Sequence, residues 1–143
     1  MVSRDDRLNK LRCLEEIDLS DIIDYPQVDE GIKNLVRALR GLGLITMGSC
    51  EGHLCETHNP FPWVTAFGIA GYAQPEIRKK MLRIIRAYNK RSRVKWLIEG
   101  NALRPLIEAS SNEQLRILRG SANSLARFLF DNYIRIGCQL QYS

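Results

Sequence analysis

The stretch Leu44 to Ile69, LITMGSCEGHLCETHNPFPWVTAFGI, sets the reading of the whole chain. It opens as an apolar run ending at Ser49, passes through a loop of cysteines and histidines, and turns apolar again from Trp63 to Ile69. Asn59-Pro60-Phe61-Pro62 excludes helix and central strand, because two prolines remove backbone donors and fix φ. The unit reads as strand, stiff loop, strand. Trp63 to Ile69 is apolar at alternate and intervening positions, as a central strand would be.

Working outward, Val28, Ile32, Leu35, Val36 and Leu39 recur on one helical face. Asp29 and Glu30 suit the positive end of that helix, and Arg37 and Arg40 its negative end. Gly41 and Gly43 offer the left-handed conformation that stops it. Beyond the loop, Pro75 opens a second helix, with Ile77, Met81, Ile84, Ile85 and Tyr88 as its apolar stripe. Val94, Trp96 and Ile98 alternate as a strand, and Gly100-Asn101 makes a turn. Ala102 to Ala109 reads as the return strand, pushed by Pro105 towards a sheet edge or a bulge. Ser111 and Gln114 form a capping-box pattern for a third helix running to Leu129, with Gly120 as a kink point. Ile136, Cys138, Leu140 and Tyr142 alternate with Gly137, Gln139 and Gln141, which predicts a closing strand. No regular strand-helix-strand series emerges. The expected fold is α+β: a single mixed or antiparallel sheet of four to five strands, with helices mainly on one face.

Ahead of this lies an acidic piece. Ser3 and Asp6 can cap a short helix through about Ile17, with Leu8, Leu11 and Leu14 on one side, and Ser20 can cap another turn. The division expected is an acidic helical arm over 1–27 and one α+β domain over 28–143. A length of 143 residues fits that single domain. No apolar run approaches the roughly 18 residues of a membrane helix, and the first residues lack a signal-peptide core. A cytoplasmic protein without a membrane partner is expected, with its four cysteines reduced or metal-bound rather than paired. Cys13 and Cys138 fall in apolar patterns and are expected to be buried.

The net charge is +5, but residues 1–30 hold nine acidic and four basic residues, so the remainder carries +10. That balance suits a polyanion such as RNA, an arm folded onto its own basic surface, or a solvated surface with no partner. Lys79, Arg83, Arg86 and Lys90 form a stripe on the second helix and are the candidate nucleic-acid-binding residues. Tyr88 and Trp96 belong to core patterns, so binding there would be electrostatic and weakly sequence-specific.

The loop carries the candidate chemistry. Cys50, His53, Cys55 and His58 bring thiolates and imidazoles, the preferred ligands of zinc, into nine residues. Cys50 and His53, flanking Gly52, would form the core of a metal site, with Cys55 as third ligand and His58 the most constrained. A second reading makes Cys50 a nucleophile with His53 as its base, and Gly52 a bend whose N–H groups meet an anion. A third makes the whole segment a tight structural loop, with Cys50 turned to the core.

Val28-Asp29-Glu30, Ser49-Cys50-Glu51-Gly52 and Leu103-Arg104-Pro105-Leu106-Ile107-Glu108, in that order, resemble the archaeal and eukaryotic tRNA methyltransferases of wybutosine synthesis, which carry a Ser-Cys-Ser-Gly-Arg loop. The resemblance is one of motif order across about residues 28–138. Here Glu51 stands in place of the family's serine and His53 in place of its arginine. The resemblance implies S-adenosylmethionine and tRNA as ligands, and Ser49, Cys50 and Gly52 as site positions. The expected function is therefore a small RNA-associated protein, a candidate tRNA-modifying enzyme with its site at Ser49 to His58. The alternatives are a metal- or thiol-dependent enzyme on a small molecule, and a binding module without chemistry.

Overall fold

The structure, a computed structural model, describes residues 11–19 and 28–143. Four strands, β1 (Thr46–Cys50), β2 (Trp63–Ala66), β3 (Trp96–Glu99) and β4 (Ala102–Pro105), form one antiparallel sheet in the order β1-β2-β4-β3. Three helices accompany it: α1 (Lys33–Gly41), α2 (Pro75–Asn89) and α3 (Asn112–Leu129). The fold is α+β, as the sequence predicts.

Residues alternate across the sheet with a period of two. Val64, Ala66, Leu103 and Trp96 are buried on one face, with Val64 opposite Leu103. That face meets α1 and α2, and α1 packs in turn on α3. Leu35 and Leu39 of α1, Ile77 and Met81 of α2, and Leu125 and Leu129 of α3 join the strands in one core. Two polar groups inside it are partnered by Ser121: Trp96 Nε1 donates to its Oγ at 2.8 Å, and the Tyr88 hydroxyl donates to its carbonyl at 3.4 Å. The intervening residues Trp63, Thr65, Ala102 and Arg104 are only half-buried and lie on the other face, where Trp63 packs against a small cluster that includes Leu115 and Leu118 of α3.

Several expectations change. A single 3-10 turn, Glu30–Ile32, precedes α1 in place of regular helix from Val28. β2 ends at Ala66, where a turn replaces the predicted strand to Ile69. β4 is an inner strand, not an edge, although Pro105 closes it. Its ladder with β2 stops at Leu103, so the missing N–H of Pro105 breaks no bond there. α3 runs unbroken through Gly120 and ends in a π-helical turn, Phe130–Ile134. The closing strand does not form. Residues 136–143 are held by separate anchors: Leu140 N–H donates to the Leu42 carbonyl at 2.7 Å, and the Tyr142 hydroxyl accepts from Ile45 N–H at 2.9 Å and donates to the Phe67 carbonyl at 2.8 Å. Of the alternating apolar residues Leu140 is buried, Cys138 and Tyr142 are half-buried, and Ile136 is exposed. Cys13 and Cys138 are half-buried rather than buried.

Much of the predicted acidic arm lies outside the described residues. In the part that is described, Leu14 and Ile17 belong to the main core. No helix among the described residues is long and apolar enough to cross a membrane.

Candidate metal centre

The loop after β1 is bent by Gly52, at φ +87°, and closed by a backbone bond from His53 N–H to the Asn59 carbonyl at 3.1 Å. Behind it, Phe61 packs with Ala109, Leu115 and Leu118 in a second small core. Two other elements hold the turn. From α3, Arg119 donates Nε to the Glu51 carbonyl at 3.1 Å and Nη2 to the Gly52 carbonyl at 2.6 Å. From the start of α1, Gly31 N–H donates to Glu51 Oε2 at 2.9 Å. These bonds tie the residues immediately after Cys50 to α3 and to the 3-10 turn before α1.

The bent loop meets Asp29 from the segment before α1. Glu51 N–H donates to Asp29 Oδ2 at 3.0 Å, and His53 Nε2 lies 3.7 Å from the same oxygen. Cys50 Sγ accepts from Gly52 N–H at 3.4 Å. One ligand atom each from Asp29, Cys50 and His53 lie within 4.8 Å of one another. Cys50 is 7% exposed, and Asp29 and His53 are half-buried. All three, with Ser49, His58 and Trp63, line a cavity of about 470 Å³.

Two of the four predicted metal ligands are thus brought together, with Asp29 as the third. Cys55 and His58 are not part of that group. They are exposed and pair with each other, Cys55 Sγ to His58 Nδ1 at 3.0 Å. His58 still borders the cavity, with its ring centroid 4.7 Å from that of His53. The thiols also differ from the expectation of an activated Cys50. Burial, followed by the carboxylates of Asp29 and Glu51, pushes the Cys50 thiol up. Cys55 is instead pulled down to about 7, first by the Thr57 hydroxyl and then by His58.

Sequence reasoning missed Asp29, which reads as an ordinary acid at a helix start. Its role depends on contacts across 21 residues to Cys50 and 24 to His53 that no local spacing encodes. Lys79, Arg83 and Arg86 of α2, and Lys90 just past its end, are exposed, and Lys79 lies 3.8 Å from Glu76. Their helix packs on β3, at the opposite sheet edge from β1 and the loop. Comparison with known protein families, with characterised proteins and with solved structures finds no match to this chain.

Proposed function

We propose that this chain is a metal-dependent enzyme acting on a small molecule, with a zinc-type ion held by Asp29, Cys50 and His53. One observation carries the reading: a carboxylate, a thiol and an imidazole converge within 4.8 Å on the wall of a cavity. The 3.7 Å between Asp29 Oδ2 and His53 Nε2 is close to the roughly 3.4 Å edge of a tetrahedron built on bonds of about 2.1 Å. Outer bonds of the kind that orient metal ligands are in place as well: Glu51 N–H on the carboxylate and Gly52 N–H on the sulfur. Three protein ligands leave a fourth position for water, whose pKa a zinc ion lowers to about 7. Hydrolysis by the metal-bound hydroxide is the reaction class this arrangement serves.

Elemental analysis of protein purified without an affinity tag tests the proposal. About one equivalent of a transition metal is expected, falling below about a tenth in Cys50→Ser and in Asp29→Asn. Binding should release protons, because the thiol ligates as thiolate. Less than about a tenth of an equivalent in the unmodified protein after incubation with zinc overturns it.

The exposed stripe of Lys79, Arg83, Arg86 and Lys90 favours a second reading, an RNA-associated protein with the tRNA-modifying role that the methyltransferase resemblance implies. Titration with tRNA at two salt concentrations decides it. Binding lost at the higher salt and in Arg83→Glu/Arg86→Glu supports it, and no binding at low salt removes it.

A further inference from the structure

We infer that Arg119 is a positioning residue for the candidate metal centre: from a helix that supplies no ligand, it sets the peptide that bonds to the Cys50 sulfur. The inference rests on the proposed function for the identity of that centre and adds a residue outside the ligand set.

The peptide between Glu51 and Gly52 lies between the guanidinium and the sulfur. Its carbonyl accepts from Arg119 Nε at 3.1 Å, and its N–H donates to Cys50 Sγ at 3.4 Å. A trans peptide is planar, with C=O and N–H pointing opposite ways. Fixing the carbonyl therefore aims the N–H at the sulfur. Hydrogen bonds in such a chain also polarise one another, so a cation on the oxygen strengthens the bond to the sulfur. The other arm of the fork secures the next peptide. Arg119 Nη2 donates to the Gly52 carbonyl at 2.6 Å, and the N–H of that peptide, on His53, donates to the Asn59 carbonyl at 3.1 Å. One guanidinium thus holds two of the three peptides that join Cys50 to His53. The third donates its N–H, on Glu51, to Asp29 Oδ2 at 3.0 Å.

The surroundings of Arg119 are built to keep it there. Its side chain is 31% exposed, and Nη2 lies 3.8 Å from Glu51 Oε1, while Glu51 Oε2 accepts from Gly31 N–H at 2.9 Å. A methyl group at Gly31 would lie 2.6 Å from Glu51 Oε2 and 3.2 Å from Arg119 Cδ. Glycine at that position leaves the room both side chains occupy.

The readings are zinc affinity, by competition with a chelator, and the sulfur-to-cobalt charge-transfer band of cobalt-loaded protein. Arg119→Met keeps the stem and removes the donors. Arg119→Lys keeps the charge but offers one nitrogen to two carbonyls. Zinc affinity should fall about tenfold or more in Arg119→Met and by less in Arg119→Lys, with the cobalt band shifted in both. A residue that only stabilises the fold would lower the urea midpoint of chelated protein without moving that band. Arg116→Met, which removes an exposed cation of the same helix paired with Glu113, should leave both readings unchanged. Unchanged affinity and an unshifted band in folded Arg119→Met, or in Arg119→Lys where only that variant folds, overturn the inference and leave the metal reading standing. So does an equal loss in Arg116→Met. No uptake of zinc or cobalt by the unmodified protein overturns the metal reading, and this inference with it.

Discussion

A methyl group added at position 52 would sit 2.6 Å from the Phe61 carbonyl carbon, and φ is +87°. Both the backbone conformation and the close approach of the Phe61 backbone demand glycine. Gly52→Ala should therefore cost about 2–3 kcal/mol in denaturant unfolding, with loss of metal uptake in whatever fraction folds. At the same scale, Cys55 is pulled down to about 7 by Thr57 and His58, while Cys50 is pushed up. In chelated protein, iodoacetamide should label Cys55 with a rate midpoint near pH 7, the thiolate being lost as pH falls through that value. Cys50 should stay unlabelled there, and Thr57→Ala should move the Cys55 midpoint upward. Equal labelling of both thiols at pH 7 would contradict the geometry. Single residues also show what a sequence can encode. Gly52 and the loop prolines announce a bend, because their constraints are local. Asp29 announces nothing, because a carboxylate before a helix is stabilised equally well by the helix end or by a distant ligand set.

Among elements, α3 shows local rules at work. Gln114 N–H donates to Ser111 Oγ at 3.1 Å, and Gln114 Oε1 accepts from Ser110 N–H at 2.7 Å, a capping box displaced by one residue on its return arm. Ser111→Ala should cost about 1 kcal/mol of stability, read as a shift in urea midpoint at unchanged slope. All three helices were legible from their apolar stripes, β3 from alternation, β1 and β2 from apolar runs on either side of the loop, and β4 as the return after the Gly100-Asn101 turn. The C-terminal segment was not, since alternation alone cannot distinguish a ladder from a tail held by separate anchors. Tyr142 is the clearest case. Its hydroxyl bridges Ile45 N–H and the Phe67 carbonyl, so it ties the tail to the entrance of β1 and the exit of β2. Pro105 misled for a related reason: its position in the sheet depended on how far β2 extended, which the sequence of β4 does not hold.

Over the whole molecule, the candidate centre joins three regions of the chain: the approach to α1, the loop after β1, and α3 through the Arg119 bonds. An ion bound there would favour the folded state alone. At free zinc 100 times its dissociation constant, the gain should be about 2.7 kcal/mol, visible as a rise in thermal midpoint that a chelator reverses and Cys50→Ser lacks. A further property follows from the irregular register between Thr46 and Gly48 in β1. β1 and β3 are the outer strands, and among the described residues no strand pairs with the free side of either. A straight outer strand invites a second copy to add on and continue the sheet. In β1 the extra residue, Met47, is half-exposed, and the irregularity twists the strand where such growth would begin. The irregularity thereby discourages self-association, and removing Met47 would be expected to make the protein prone to forming fibres.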